Sequence, residues 1–390
     1  MSNNRAPIRI LFTIPNFITA GSGQAMWNVV SRLNPDLFSP AICVLKRGGA
    51  LEAEIEAAGV SILELPFIVP ARPLHRLPAA VIRAARRFRP HGFHIWHSYH
   101  YGSDYTEPII ARLAGARAWV YTKKNMSWGD RAWHVRTALA SRIAAQNTAM
   151  LTRFFAAPRV QRKVRMVPRG VDVKKFRPGT PPRLGLREKL GLSASDIVVG
   201  CVAHLLPVKG QNILLQAAAK LDGVHLVLAG KRLDESYASA LDALCSSLGI
   251  ADRVHFLGQV NDIAAFHAEL DIFVLPTLAR FRMEGCPVAL LEAMASGLPC
   301  IATDIPGSQD IIEAGKSGIL VPAEDPSALA RALQQLIADP GRRQALGAAA
   351  RRRIVECYTI EQEVARHEAL YLEVLNNSSV VLSGSDLGRG

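Results

Sequence analysis

The sequence predicts an α/β chain of two similar halves, each organised around a parallel β-sheet covered by helices on both faces. Three observations carry that expectation. The 390 residues, 49% hydrophobic and 20% charged, exceed one ordinary core and suit two domains of roughly 180 residues each. Short apolar runs alternate with segments of helical period through the C-terminal half. Both halves also open alike, with an apolar strand, a loop and then a helix.

In the first half the opening strand is IRILFTIP (8–15), followed by the loop NFITAGSGQ and the helix AMWNVVSRL. SPAICVLK, SILELPF, FHIWHS and RAWVYTK read as its other strands, and LPAAVIRAARRFRP as its clearest helix. The stretch RMVPRGVDVKKFRPGTPPRLG (165–185), rich in Pro, Gly and charge, reads as a linker. The second half begins with DIVVGCVAHL (196–205), the loop LPVKGQ and the helix NILLQAAAKL. Strands VHLVLAG (224–230), VHFLG (254–258), DIFVLPT (271–277), PCIAT and GILV then alternate with helical segments, as parallel strands with crossover helices require. The expected division is 1–180 and 181–357, then a helix over 358–375 packing back on the first domain and a flexible tail over 376–390.

Charge is divided unevenly. Residues 1–180 hold 27 Lys+Arg against 9 Asp+Glu, while residues 181–390 hold 19 against 24. A basic module of that strength favours anionic partners: nucleic acid, anionic lipid or a phosphorylated substrate. The alternative is a solvated basic surface kept for solubility. Six scattered cysteines without paired spacing suit free thiols in a reducing compartment. The N-terminus is too short and interrupted for a signal peptide, and no run of about 18 apolar residues occurs, so a cytoplasmic protein is expected.

In open parallel sheets, ligands bind beyond the carboxyl ends of the strands, which directs attention to the loops there. The stretch RFRMEGCPVALLEAMASGLP (280–299) follows one such strand and places Glu284 and Glu292 in apolar company. Pro287 suits the first helical position, so Glu284 falls just before the helix and Glu292 about a turn and a half inside it. A carboxylate on a helix buried on most sides needs strong donors. Sugar hydroxyls would serve, and so would Arg280 or Arg282. Lys209-Gly210 sits where the loop after residue 205 meets its helix, a place suited to a phosphate. The phosphate-loop pattern GxxxxGK[ST] is absent, and GSGQAMW (21–27) lacks the third glycine of a dinucleotide fingerprint. His91, His94, His97 and His100 alternate faces along a strand and its loop, so no metal site is expected. His97 or His100 remains a candidate substrate contact. Basic clusters at 82–90 and at 152–178, the latter interleaved with Phe154, Phe155 and Phe176, suit an anionic membrane surface. No nucleic-acid recognition module accompanies them.

In their order, VPRGVDVKKFRP, HLLPVKGQNILLQA, VHLVLAG, VHFLGQV, DIFVLPT, EGCPVALLEAMASGLPCIATDIPGSQDII and SGILVPAEDPSALA resemble the retaining GT-B glycosyltransferases of family 4, the glycosyl transferases group 1. The likeness is strongest from about residue 165 to 340 and looser in the first half. It implies two Rossmann-like domains with parallel sheets facing across a cleft. It also implies a retaining hexosyl transfer from a nucleotide diphosphate donor, expected to be a UDP-sugar, with no cofactor and no metal. Lys209 would neutralise the diphosphate, Glu284 with Gly285, Cys286, Pro287 and Val288 would hold the sugar, and Glu292 would accept from the ribose hydroxyls. Gly258 would lie near the base, and Gly21 and Gly23 would let the first domain approach the phosphates. His100 joins Lys209 and Glu284 as an expected catalytic residue, with His97, Lys123 and Lys124 on the acceptor or phosphate side.

Three positions depart from the family pattern. His204 replaces the usual Arg beside the phosphate-site Lys, Val208 replaces an acid, and Lys124 stands where many members carry a His. The expected acceptor is a lipid-linked or polysaccharide or other glycoconjugate, reached at the inner face of the cell membrane through an anionic surface; nucleic acid is not an expected partner. The alternative is a catalytically degenerate GT-B module that binds membranes or partner enzymes.

Overall fold

The computed structural model describes residues 6–17, 20–127, 129–193, 195–280 and 283–383. Thirteen strands run in chain order as β1 (Ile8–Thr13), β2 (Phe38–Val44), β3 (Ser61–Glu64), β4 (Ile95–Ser98), β5 (Ala118–Lys123), β6 (Arg142–Ala145), β7 (Val164–Met166), β8 (Ile197–Val202), β9 (Val224–Ala229), β10 (Val254–Gly258), β11 (Ile272–Leu275), β12 (Cys300–Thr303) and β13 (Ile319–Val321). They form two sheets, ordered β3-β2-β1-β4-β5-β6-β7 and β10-β9-β8-β11-β12-β13. Every described pairing within them is parallel.

The central strands β8, β11 and β12 are continuous apolar runs because both of their faces are covered. Four helices of the second half begin at Asp234, Asp262, Asp325 and Asp339, whose side chains each accept from a first-turn amide and so stop the preceding loop. Leu214, Leu226 and Leu333 build a core on one face of the second sheet, and Phe266, Phe273 and Leu290 on the other.

The chain divides into two compact units. One comprises Met1–Lys124, Trp128–Pro168 and Glu361–Gly390, the other Asn125–Ser127 and Arg169–Ile360. The division falls after Pro168 instead of at 180, because the early part of the expected linker is the edge strand β7. Both β6 and β7 escape sequence reading: RIAA has a single β-branched residue among Arg and Ala, and VRM stands in the basic stretch that reads as linker. The helix Ile360–Ser383 runs past Leu375, through residues expected as tail, since a formed helix extends at little cost per residue. Its Val364, Leu370, Tyr371 and Val374 are core residues of the first unit, together with Ile10, Phe12 and Phe38.

The membrane-facing reading of 152–178 requires correction. Phe155 and Phe176 are buried at 0% and 5% exposure, and Phe154 covers the Lys123 ammonium at 4.8 Å. These rings serve the interior. Among the described residues no helix is long and apolar enough to cross a membrane.

Candidate active site

Each sheet reverses its strand order once, at β1/β4 in the first and at β8/β11 in the second, and such switch points open crevices at the carboxyl ends of the strands. In the second unit the loop after β8 closes in a short turn, Pro207–Lys209, ending at Gly210 with φ 70°. A Cβ on Gly210 would stand 2.0 Å from the Pro276 carbonyl oxygen, so only glycine allows this loop to lie on the segment after β11. The Leu278 amide donates to the Val208 carbonyl at 2.9 Å and fixes the contact. Lys209 Nζ thereby reaches Glu284 Oε1 at 2.6 Å, both side chains remaining partly open to solvent.

Glu284 is held through its backbone. Asn125 bridges it in antiparallel fashion, and the Met126 amide donates to the Met283 carbonyl at 2.9 Å. Behind it, Gly307 at φ 95° lies so close that a Cβ there would be 2.8 Å from the Gly285 carbonyl oxygen. Gly285, Cys286 and Pro287 then lead into the helix Val288–Ala295. Pro287 occupies the N-cap and not the first turn, and no side chain caps the helix, so its first amides stay available to a ligand.

Glu292 lies on that helix. Burial raises its carboxyl from the ordinary range to about 7, opposed by the Lys175 charge. The alternative partner Arg280 is engaged with Glu324 at 2.6 and 3.0 Å, and Arg282 lies outside the described residues. A half-buried acid with no side-chain hydrogen bond from the described residues is suited to hydroxyl donors from a ligand. His204 Nδ1 accepts from the Lys231 amide at 3.2 Å, and partial burial with the Lys209 and Lys231 charges lowers its pKa. The lowered pKa works against the fixed positive charge that an Arg would supply there. Gly258, at φ 66°, ends β10, and its carbonyl accepts from the Gly230 amide at 2.7 Å.

In the first unit the helix Ala20–Val30 starts earlier than the sequence indicates, so Gly21 and Gly23 are helical and not part of a loop. The Lys124 ammonium donates to the Tyr99 carbonyl and to Ser22 Oγ, the latter at 3.3 Å, and lies over the Tyr101 ring. It thus joins the end of β4 to the start of that helix. His100 follows two residues after β4, with its ring over Gly102 and against Phe67. Burial and the Arg136 charge lower its pKa to about 4, and its Nδ1 is buried without a partner.

Two expected residues do not face a ligand. His97 is fully buried, with Nδ1 2.6 Å from the Tyr371 hydroxyl and Nε2 2.8 Å from Thr122 Oγ1. Both ring nitrogens are engaged, and the ring ties the C-terminal helix to the sheet of its own unit. Lys123 is 1% exposed, between the rings of Trp133 and Phe154, and burial lowers its pKa to about 7. It is a buried core amine, not a phosphate contact.

Sequence reading missed the most polar feature of this unit. Glu107 accepts from Thr13 Oγ1, from Trp96 Nε1 at 3.1 Å, from Ser98 Oγ at 2.7 Å and from Arg136 Nη2 at 3.2 Å. Both Glu107 and Arg136 are wholly buried, and Arg136 also donates to the Asp104 carbonyl at 2.8 Å. The network fixes the carboxyl ends of β1 and β4. The 29-residue separation of the pair left no local signal in the sequence. Also missed was Thr277 beyond β11, whose buried hydroxyl has no partner.

Solved glycosyltransferases share this architecture. The structure of a glycosyltransferase from Rickettsia africae ESF-5 matches with a TM-score of 0.83 at 17% identity, over 96% of this chain and 100% of that one. That of Anabaena HepE in complex with UDP matches with a TM-score of 0.81 at 20% identity, over 94% and 100%. Two parallel-sheet α/β units with these neighbours define the GT-B class of fold. The family described as "Glycosyl transferases group 1" matches residues 183–353 of this chain, within the second unit. Among characterised relatives, the GDP-mannose-dependent alpha-(1-6)-phosphatidylinositol monomannoside mannosyltransferase of Mycolicibacterium smegmatis is 32% identical over 259 residues, 62% of this chain and 66% of that one. The D-inositol 3-phosphate glycosyltransferase of Corynebacterium urealyticum is 35% identical over 197 residues, 47% and 45% of the two chains. The chain thus spans less than two thirds of the length of these relatives.

Proposed function

We propose that the protein is a retaining glycosyltransferase that moves a sugar from a nucleotide diphosphate donor to a lipid-linked or other glycoconjugate acceptor. The observation that carries this reading is the juxtaposition of Lys209 and Glu284, 2.6 Å apart at the second switch point, with the donor-starved Glu292 on the helix behind them. The diphosphate would take Lys209 and the open amides at the start of Val288–Ala295, and the sugar hydroxyls would take Glu284. The ribose would take Glu292, and the base would lie near Gly258.

In the reaction the bond from the anomeric carbon to the diphosphate breaks as the acceptor oxygen bonds to the same face, and the acceptor proton passes to the departing diphosphate. Lys209 stabilises the charge that grows on that leaving group, the largest contribution such a site makes. No metal is required in this scheme. Within the first unit, Lys124 and His100 stand at the β1/β4 switch point. The relatives named for a donor are named for GDP-mannose, so GDP-mannose stands beside the UDP-sugars as a candidate. The basic first half supports an acceptor carried on an anionic inner membrane surface, with the protein cytoplasmic and peripheral there.

Slow hydrolysis of nucleotide sugars tests the proposal. Turnover of a UDP-sugar or GDP-mannose that falls about a hundredfold or more in Lys209→Ala and in Glu284→Ala is the expected result. His204 in place of a fixed Arg charge favours the second reading, a GT-B module that binds partners without catalysis. Absence of turnover with every donor, while Glu284→Ala leaves nucleotide binding unaltered, would establish that reading instead.

A further inference from the structure

The first unit holds a groove of about 750 Å³ that none of the roles above uses. One wall is the loop carrying Val69 and Pro70, and the other is the helix Leu77–Phe88. The loop is pinned, since the Val69 amide donates to Thr106 Oγ1 at 3.0 Å. Ala80 and Ala84 keep the helix side shallow, which leaves room for a ligand between helix and loop. The volume is that of a small-molecule pocket.

Arg72, Arg76, Arg83 and Arg87 all line this groove with His75, and no Asp or Glu does. Arg76 at the N-cap of the helix and Arg83 and Arg87 within it recur at a spacing that gathers them on one side. Among the described residues none of the four guanidiniums makes an ion pair or a hydrogen bond to the protein. Some other arginines of this unit are met by carboxylates: Arg136 by Glu107, and Arg142 and Arg165 by Glu373. Four unpaired guanidiniums in one groove repel each other, and an anion relieves the repulsion. The guanidinium fork matches a phosphate bidentately, while the alanines, prolines and valine of the walls suit an apolar chain next to that phosphate.

We infer that this groove binds the phosphate or diphosphate of a lipid-linked acceptor, with the four arginines on the phosphoryl oxygens and the adjoining lipid along the apolar walls. The inference rests on the proposed transfer to a lipid-linked acceptor and names the part of the acceptor that the protein grips. It replaces the segment 152–178 as the contact with anionic lipid, because the phenylalanines of that segment face inward or onto Lys123.

Calorimetric titration of the whole protein with farnesyl phosphate, below its aggregation concentration and without any donor, tests the site. Saturable binding is expected, weakened about tenfold or more in Arg83→Ala/Arg87→Ala and again in Arg72→Ala on the loop. Arg86→Ala is the control, since Arg86 is exposed on the same helix and does not line the groove. Its affinity should stay within about twofold of the parent. An equal loss in Arg86→Ala would reduce the site to a diffuse basic surface and overturn the inference. Inorganic pyrophosphate binding as tightly as farnesyl phosphate would assign the groove to soluble phosphates, and farnesol binding as tightly would remove the phosphate; either defeats it. Farnesyl phosphate failing to bind a protein that still hydrolyses its donor defeats this inference alone. Binding without hydrolysis defeats the proposed transfer alone.

Discussion

Glu292 shows what burial does to a single carboxyl group. Its pKa of about 7 comes from desolvation, so below neutrality it is protonated and above it ionised. The folded chain binds this proton more tightly than the unfolded one. Its contribution to stability is therefore present at acid pH and lost as pH rises from the ordinary carboxyl range to about 7. A ligand's hydroxyls donate best to the ionised form, so nucleotide binding should expel the proton. Affinity for the nucleoside diphosphate is expected to rise between pH 6 and pH 8 and to level off above, with Glu292→Gln weaker and flat across the range. Calorimetry in buffers of differing ionisation enthalpy checks this, because proton release is read directly; an affinity that falls with pH would refute the ribose role. Glu284 is the contrasting case: open to solvent and already paired with Lys209, it must exchange that partner when a diphosphate arrives.

At the scale of elements, the candidate site depends on two loops lying against each other. The 3₁₀ turn Pro207–Lys209 would aim its lysine elsewhere without the close approach of Gly210 to Pro276. Gly210→Ala adds a methyl with no room and holds a non-glycine residue at φ 70°, so a loss of about 2–4 kcal/mol in stability is expected. Thermal denaturation measures that loss. Separately, the nucleotide-sugar hydrolysis rate should fall more than stability alone explains, since Lys209 and Glu284 are displaced. A variant of parental stability and full rate would show that the approach is incidental. The sequence made the lysine-glycine pair and the Glu-Gly-Cys-Pro turn visible, but not their meeting, because 75 residues separate Lys209 from Glu284.

For the whole molecule, strand β1 and the last helix from Glu361 on belong to one unit. Tyr371 is fully buried, 5.8 Å from the Phe38 ring and 6.2 Å from that of Phe12, and its hydroxyl meets His97. Tyr371→Ala should cost about 3–5 kcal/mol. The five tryptophans all fall between residues 27 and 133, so their fluorescence follows the first unit. Chemical denaturation followed by tryptophan emission should shift to lower denaturant in the variant, while the circular dichroism retained beyond that shift reports the second unit. Coincident shifts by both probes would mean that the units unfold as one.

The two-sheet α/β class was legible in the sequence because strands buried on both faces are written as continuous apolar runs, such as IVVGCV and IFVL. The order of motifs in the second half likewise carried the resemblance to the glycosyl transferases group 1, whose model matches residues 183–353. The strands β6 and β7 were not legible, because RIAA has a single β-branched residue and VRM lies in a basic stretch that reads as linker. Nor were the assignments of His97 and Lys123 to the interior, which depend on Tyr371 and Trp133 arriving from distant segments. Local sequence determined which residue types stand at the ends of strands. Tertiary structure alone decided which of them remain open to a ligand, because burial and partners are set by packing across the chain.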